Sequence, residues 1–339
     1  MTEGNDAGGQ HRRTFVKEIA ACSGAFVLAG NIGELLAQTT PDWRKQIGLE
    51  LFTVRDLMSK DFEGTLAKVA EIGYKEVEPV GYGGLDPKQF RALLDRYGLS
   101  APSTHSGAID GPDLEQQLEG HQIMGIKYTE IRARRPGGPG PGGAPGGPGA
   151  PAAGRPPGAG PPPAGMPQRP PQTEEAVKRS AEHYNKYGAI AKKFGMKILI
   201  HNHAGEFDLL ENSKKTQYDV LLAETDPALV AMQIDVGWAY VAGQNVLEMF
   251  RNNPGRYELW HVKDVVGLKN IDLSTPPGRR RGTFIPIGRG EIDYRTLFAS
   301  ARLAGLKHFV IEQDNAGQNG GDALGDARAN YQGLVKVVS

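Results

Sequence analysis

Short apolar runs alternate with longer amphipathic segments along most of the chain, and this alternation limits the fold more than any other feature. Residues 46–54, QIGLELFTV, are strand-like. The next segment, FEGTLAKVAEIGY, places Phe62, Leu66, Val69 and Ile72 at helical spacing. The same pair of patterns recurs until eight strands and eight helices are predicted. Several of the predicted helices end in glycine just before the next strand, as helix ends commonly do.

Strands that alternate with helices in this way predict an α/β fold with a parallel sheet. Eight such units are the number that closes a single (β/α)8 TIM barrel. An open doubly wound sheet is the alternative, although no G-x-G-x-x-G motif opens a helix after the first strand. The predicted strands cover residues 46–54, 74–80, 99–105, 126–133, 196–203, 230–238, 257–265 and 307–314.

The first 40 residues differ from the rest of the chain. Residues 1–10 are polar and Gly-rich, and the pattern R-R-x-F-x-K follows from Arg12 to Lys17, before a weakly apolar stretch. This pattern is typical of a twin-arginine export signal and predicts export to the periplasm; an ordinary amphipathic N-terminal helix is the alternative. The apolar stretch is shorter than the roughly 20 residues of a membrane-spanning helix, so no stable membrane anchor is predicted. The barrel is therefore assigned to residues 45–339.

Residues 136–172 are almost wholly proline, glycine and alanine. They carry too few large apolar side chains for a packed core and lack a strict Gly-x-y period, which predicts a disordered insertion. The alternation of strands and helices resumes in phase afterwards. We therefore place this segment after the fourth strand, on the catalytic face of the barrel, rather than between two domains.

The charge balance and the cysteine content exclude several classes of partner. Thirty-nine basic and 39 acidic residues cancel, so no field of one sign is available to hold a nucleic acid. The single cysteine, Cys22, excludes a disulfide framework and a thiolate metal cluster within one chain. Any metal site would need histidine and carboxylate ligands.

Ionisable side chains stand at the ends of six of the eight predicted strands. In a parallel barrel these ends converge on one mouth. A single histidine there is typically a satisfied structural group, but burying several charges without partners costs several kcal/mol each. Imidazoles and carboxylates together suit one divalent metal, with Mn, Zn, Co or Fe favoured over Mg, which prefers oxygen ligands. The residues are Glu78, His105, His201, His203, Asp235, His261, Lys263 or Asp264, and Glu312.

The motifs around these strand ends resemble those of the xylose-isomerase-like TIM barrels, a group named for sugar phosphate isomerases and epimerases. The resemblance begins with IGLELFTVRD, EIGYKEVEPVGYGG and THSG in the first third of the chain. It continues with IDVGW, WHVKD, GRGEIDY and VIEQD toward the C-terminus. Each motif alone is weak, but their order and spacing together are specific.

The resemblance implies one divalent metal held by Glu, Asp, His and Glu from strands five to eight. The aspartate corresponds to Asp235, the histidine to His261 and the last glutamate to Glu312. At the end of strand five this chain has His201, and Glu206 lies in the loop that follows. Either Glu206 reaches back to the metal or His201 replaces the glutamate. We prefer His201 because a strand end is held more rigidly than a loop.

The resemblance also implies a reaction. In the isomerases and epimerases of the family, two glutamates exchange protons on either side of the sugar, which implies a metal-dependent sugar isomerase or epimerase acting through an enediolate on a free sugar or glycoside. Because His201 removes one of these bases, a one-base β-elimination, as in similar 3-keto-glycoside lyases, is the alternative. Glu312 is the expected base. Isomerisation would need Lys263, His203 or Glu206 as a second acid-base group.

A small carbohydrate is the expected partner, and Glu78, His105 and Trp238 are expected to contact it. Each also has a structural alternative as a paired or packed group. A non-catalytic sugar-binding barrel would keep the aromatic rim without needing the metal set. A nuclease like the endonuclease IV enzymes would need additional metal ligands and a basic surface. The sequence names neither the sugar nor the oligomeric state.

Overall fold

The computed structural model describes residues 41–132, 172–318 and 321–339. The proposed export signal at residues 1–40 lies outside the described residues, as does the Pro/Gly-rich insertion apart from Gln172. None of the helices in the described ranges is long and apolar enough to cross a membrane.

Eight parallel strands form one sheet in the order β2-β1-β10-β7-β6-β5-β4-β3. Glu76 in one outer strand forms a parallel bridge with Ser100, three residues before the other outer strand begins, and the Val77 N–H donates to the Ser100 carbonyl at 2.8 Å. The predicted TIM barrel is therefore confirmed. Its strands are β1 (Gly48–Glu50), β2 (Glu76–Glu78), β3 (Ser103–Ile109), β4 (Tyr128–Arg132), β5 (Lys197–His201), β6 (Val230–Asp235), β7 (Leu259–Val262) and β10 (His308–Ile311).

Helices follow the strands and cover the outside of the barrel. In the described residues they are α1 (Arg55–Met58), α2 (Phe62–Ile72), α3 (Pro87–Arg96), α4 (Leu114–Met124), α5 (Glu174–Ala191), α6 (Gln217–Glu224), α7 (Val236–Val241), α8 (Val246–Asn252), α9 (Tyr294–Ala299), α10 (Ala301–Ala304) and α11 (Ala323–Val337).

Helix α2 shows how the sequence specifies these units. Its first turn is capped by Asp61, whose side chain accepts a hydrogen bond from the Gly64 N–H. The apolar residues at helical spacing, Leu66 and Val69 among them, are fully buried against the sheet. The helix ends at Gly73, whose φ of 123° is a conformation that favours glycine, and the chain turns from there into β2.

Several strand ends differ from the sequence prediction. Strands β1, β2, β5 and β10 end at Glu50, Glu78, His201 and Ile311, before the predicted residues 54, 80, 203 and 314. Strand β3 continues past His105 to Ile109, with an irregular register on β4 after Thr104, so His105 lies within the strand rather than at its end. Strand β6 ends at Asp235, so the prediction of a strand as far as Trp238 was wrong. The Asp235 side chain accepts a hydrogen bond from the Trp238 N–H and begins helix α7 directly.

The predicted seventh strand is also divided. Strand β7 ends at Val262, and after Lys263 the chain enters a separate antiparallel hairpin of β8 (Asp264–Val266) and β9 (Thr283–Ile285). The Asp264 carboxylate accepts hydrogen bonds from backbone N–H groups, including those of Gly288 and Gly290, both at 2.9 Å. Asp264 therefore holds the loop that follows β9.

The amino ends of the strands close the opposite end of the barrel with their own polar network. The Tyr128 hydroxyl donates to Glu258 Oε2 at 2.9 Å, and Lys197 pairs with the same carboxylate. His308 Nδ1 lies 2.9 Å from Glu76 Oε1. These residues satisfy one another at the end of the barrel that lies away from the converging strand ends.

His121 in helix α4 gives a prediction about stability. Burial lowers its pKa to about 4, and its Nε2 lies 3.3 Å from the Tyr82 hydroxyl. Between pH 6.5 and 4 the unfolded chain binds a proton at this histidine and the folded chain does not, so stability falls as the pH falls. The shift is equivalent to about 3 kcal/mol across that range.

His121→Gln should remove this contribution while retaining an amide that reaches Tyr82. Urea unfolding of the two proteins at several pH values is the measurement. We expect the difference between their free energies of unfolding to change by about 3 kcal/mol from pH 7 to pH 4. Parallel stability curves would show that His121 titrates normally in the folded protein.

Candidate active site

The carboxyl ends of the barrel strands bring buried polar side chains together at one mouth. Parallel strands all point the same way, so residues far apart in the chain meet there. Most of them are the residues that the sequence singled out. The cluster comprises Glu50, Glu78, His105, His201, Gln233, Asp235, His261, Lys263, Glu312 and Asp314.

His261 lies at the centre of the cluster and is fully buried. Its Nε2 is 2.7 Å from Glu78 Oε1, and its Nδ1 is 2.8 Å from Glu312 Oε2. Burial alone would lower the pKa of His261, but the Glu78 and Glu312 carboxylates raise it well above its ordinary value. In the metal-free protein this imidazole is therefore charged and joins strands β2, β7 and β10.

Glu78 was expected to contact substrate, and the structure places it beneath the mouth with no exposed surface. One carboxylate oxygen accepts hydrogen bonds from the Gln233 amide at 2.7 Å and from the Ser103 hydroxyl. Burial would raise the pKa of Glu78, but His105 and His261 lower it far below the ordinary value. Glu78 is thus an ionised carboxylate that holds other site residues in place.

Gln233 connects two of the histidines and was not singled out by the sequence prediction. Its Oε1 lies 3.0 Å from His105 Nε2 and 3.1 Å from His201 Nδ1. Because a carbonyl oxygen only accepts hydrogen bonds, the proton of His201 lies on Nδ1 and the lone pair lies on Nε2. Burial and the neighbouring imidazoles lower the pKa of His201 well below its ordinary value. His201 is therefore neutral, the form that binds metals.

His105 lies between strands β2 and β4. Its Nε2 is 2.8 Å from Glu78 Oε1, and its Nδ1 is 3.3 Å from Glu130 Oε1. Burial favours the neutral ring, but the Glu78 and Glu130 carboxylates raise the pKa of His105 to about 10. The His105 ring centroid is 4.9 Å from that of His201 and 5.2 Å from that of His261. The structure therefore places three imidazoles side by side.

Lys263 follows β7 and is completely buried. Its Nζ lies 2.9 Å from Asp235 Oδ2, 2.9 Å from Glu312 Oε2 and 2.7 Å from Asp314 Oδ2. Burial would lower the pKa of Lys263, but these carboxylates raise it well above the ordinary value. Burial also raises the pKa of Asp314 to about 7. Lys263 is a fixed positive charge within the cluster, and Asp314 is a partner that the sequence prediction did not include.

Asp235 contacts both a helix and the site. Its Oδ1 accepts the Trp238 N–H at 2.8 Å, and its backbone N–H donates to Asn202 Oδ1 at 3.1 Å. Its Oδ2 faces Lys263 and lies 4.0 Å from His261 Nδ1. The loop residue Asn202 thereby holds the end of β6 in register with the end of β5.

Three further residues from the prediction lie around the rim. Glu206 Oε2 accepts the His203 N–H at 2.7 Å, so this oxygen is engaged within its own loop. Burial raises the pKa of Glu206 and lowers that of His203 to about 3. The His203 ring is 5.8 Å from the Trp238 ring, which packs on Phe284 at 4.9 Å. His203, Trp238 and Phe284 form an aromatic wall beside the cluster.

Comparison with known proteins identifies the family. The family described as xylose isomerase-like TIM barrel matches residues 66–332. This chain belongs to the xylose isomerase-like TIM barrel family. The resemblance that the strand-end motifs suggested is therefore confirmed.

Curated relatives of this xylose isomerase-like barrel include inosose dehydratases. The protein of that name from Geobacillus kaustophilus is 26% identical over 278 residues, which cover 74% of this chain and 80% of the relative. The one from Clostridium perfringens is 35% identical over 130 residues, and the match spans 37% of this chain and only 42% of the relative. A solved sugar phosphate isomerase/epimerase from Parabacteroides distasonis superposes with a TM-score of 0.61 at 19% identity, covering 88% of this chain and 96% of its own.

The donor groups of this xylose isomerase-like barrel fit a divalent metal. Glu50 Oε2 is buried without a hydrogen-bond partner among the described residues, as expected of an oxygen that awaits a cation. Imidazole nitrogens and carboxylate oxygens are the ligands that zinc, manganese, cobalt and iron accept. Among the described residues, three overlapping groups bring donor atoms within 4.8 Å of one another: His105, His201 and His261; Glu50, Glu78 and His105; Glu50, His261 and Glu312.

Of the predicted metal ligands, His201, His261 and Glu312 occur in these groups, and Asp235 lies beside them. Glu206, the alternative to His201, does not occur in them. Glu50 was missed by the sequence prediction. The predicted first strand, residues 46–54, put Glu50 in its middle, whereas strand β1 ends at Glu50.

Proposed function

We propose that this chain is a divalent-metal-dependent carbon–oxygen lyase. It would remove water or another oxygen substituent in the position β to a keto group on a cyclitol or sugar. The observation that carries the proposal is the neutral His201 at the end of β5, where the family resemblance implies a second catalytic glutamate. A site with one such base suits an elimination, which needs one base for the carbon acid and one donor for the leaving oxygen.

The predicted ligands His201, Asp235, His261 and Glu312 are the residues that would hold the metal. When bound, a divalent metal supplies Lewis-acid polarisation of the keto oxygen, which makes the adjacent C–H bond more acidic. The relatives called inosose dehydratases support this proposal, because a dehydratase performs an elimination of the same class.

Glu312 is the proposed base. Burial opposes its ionisation, but Lys263 and His261 lower its pKa well below the ordinary value, so it is a carboxylate at neutral pH. Lys263 keeps this negative charge in place at 2.9 Å. The N–H of the neutral His203 imidazole on the rim would donate a hydrogen bond to the departing oxygen, which takes up the proton that Glu312 removes from carbon and leaves as water or as an alcohol. Trp238 beside His203 gives an apolar face for the ring of the substrate.

A sugar isomerase or epimerase is the second candidate, and the structural likeness to proteins of that name favours it at the level of fold. This reaction would need a second acid-base group. Lys263 is held by three carboxylates, and Glu206 is bonded to the backbone of its own loop. These contacts leave His203 as the freest of the three groups that the sequence offered, which makes the two-base reaction less favourable here.

Incubation of the metal-loaded protein with keto-cyclitols, 3-keto-glucosides and free aldoses or ketoses in deuterated water tests the proposal by NMR. Loss of water or release of an aglycone, with an unsaturated keto product, is the expected result. Solvent deuterium in an otherwise intact, isomerised sugar would replace the lyase proposal by the isomerase. Tight sugar binding without either reaction would leave a binding protein.

Export to the periplasm is a separate proposal and depends on Arg12 and Arg13. Cell fractionation of the full chain and of a variant with both arginines changed to lysine tests it. We expect the full chain in the periplasmic fraction and the variant in the cytoplasm.

A further inference from the structure

Glu50 ends the first barrel strand and has no assigned role. Its side chain is 95% buried, and its Oε2 has no hydrogen-bond partner among the described residues. A buried carboxylate oxygen without a partner is unfavourable and is rarely kept in a protein interior. Glu50 therefore points into the cluster with one oxygen that no donor among the described residues satisfies.

The surroundings of Glu50 show where a cation would lie. Glu50 Oε2 is 4.0 Å from His261 Nδ1, and Asp235 Oδ2 lies at the same distance from that nitrogen on β6. Glu312 Oε2, at 2.8 Å, completes the set of oxygens around His261 Nδ1. Glu50, His261 and Glu312 have donor atoms within 4.8 Å of one another. These separations match donors that a single cation could draw together.

The charge of the donor set also indicates Glu50. The resemblance implies three carboxylates and one imidazole, whereas His201 leaves this chain with two carboxylates and two imidazoles on strands five to eight. Adding Glu50 brings the set of donors back to three carboxylates. The third one comes from β1, which is hydrogen-bonded to β10 and β2 and not to β5.

We propose that Glu50 is a metal ligand and that it supplies, from the first strand, the carboxylate that the fifth strand lacks. The inference rests on the proposed metal-dependent function and extends it with a residue outside the family's ligand positions. The preferred cation is a divalent metal of the zinc, manganese or cobalt type, because the set mixes imidazole with carboxylate.

Metal binding by Glu50→Gln in the full chain tests this inference without any assay of activity. Competition between the protein and a chromophoric chelator for Co2+ and Zn2+ gives the affinity. We expect a loss of at least about 100-fold, the upper end of what the removal of an outer hydrogen-bond partner of a ligand costs. The visible spectrum of the Co2+ protein should also change, because one ligand oxygen is replaced.

The matched control is Glu76→Gln, which makes the same change on a barrel strand at the opposite end and should leave the metal affinity unaltered. Glu50→Asp keeps the charge and should retain part of the affinity. Metal-free Glu50→Gln should unfold at about the same denaturant concentration as the unchanged protein, because burial and the Glu312 carboxylate raise the pKa of Glu50 well above its ordinary value and the amide then replaces a neutral carboxyl group. A purely structural role for Glu50 would instead lower that midpoint.

An unchanged affinity in Glu50→Gln, or a loss in Glu206→Gln alone, would overturn the inference. Tight metal binding that depends on Glu50, without turnover of any keto substrate, would defeat the proposed lyase and leave the ligand assignment standing. Turnover of a keto substrate together with unchanged metal affinity in Glu50→Gln would support the proposed lyase and overturn the assignment of Glu50 as a ligand.

Discussion

Glu312→Gln should lower kcat for the elimination by about 10²–10⁴-fold, the range that a positioned general base contributes. Glutamine is nearly the same size as glutamate, and its Oε1 can still accept the hydrogen bond from His261 Nδ1. It cannot take up the proton from carbon, and it no longer carries the charge that faces Lys263 at 2.9 Å. Because Lys263 keeps Asp235 and Asp314 as partners, the loss should appear mainly in the chemical step.

Steady-state kinetics on the keto substrate identified by NMR, with the metal content of each protein measured, provide the check. Glu76→Gln is the control, because Glu76 pairs with His308 at the far end of the barrel. A kcat within a few fold of the unchanged protein in Glu312→Gln, at full metal occupancy, would assign the base to another residue.

Lys263→Met should lower the free energy of unfolding of the metal-free protein by about 3–5 kcal/mol, the cost of breaking a buried ion pair by removing one partner. The variant leaves Asp235, Glu312 and Asp314 without the ammonium that lies within 2.9 Å of each. Methionine fills the volume of the lysine stem, so the loss reports the charge and not a cavity.

Urea unfolding in the presence of a chelator gives this value. Lys269→Met is the matched control, since Lys269 is exposed and its replacement should change stability by no more than about 0.5 kcal/mol. Equal midpoints for the two variants would mean that the three carboxylates take up protons in the folded protein and need no lysine.

The barrel could be predicted from the sequence because each unit contains its own signal. Strand-like runs of seven to nine residues, amphipathic helices and glycine stops recur in phase, and eight such units are the number that closes a parallel barrel. The polar strand ends gave His201, His261 and Glu312, which the structure brings into one cluster. Because the carboxyl ends of parallel strands meet at one mouth, residues at these ends can be predicted to lie together without knowing which residues are in contact.

Residues whose role depends on pairing across the barrel escaped prediction. Gln233 looks like an isolated polar residue in the apolar run VAMQID, and its role becomes clear only when His105 and His201 are seen on either side of it. The hairpin of β8 and β9 was missed for a related reason. Val265 and Val266 continue the apolar pattern after Asp264, and hydrophobic periodicity cannot tell a strand that stays in the barrel from one that leaves it.

The two carboxylate oxygens of Asp235 have different partners. Oδ1 accepts the Trp238 N–H at the start of helix α7, and Oδ2 pairs with Lys263 in the charged cluster. The Asp235 carboxylate therefore connects the helix that carries Trp238 to Lys263 in the charged cluster. If the proposed function holds, a substitution of Asp235 would change both the charge of the cluster and the start of the helix that carries Trp238, so recognition of the substrate ring and reactivity at its carbons would change together. Variants selected for a new substrate should accordingly carry paired changes, one in the charged cluster and one in the aromatic wall.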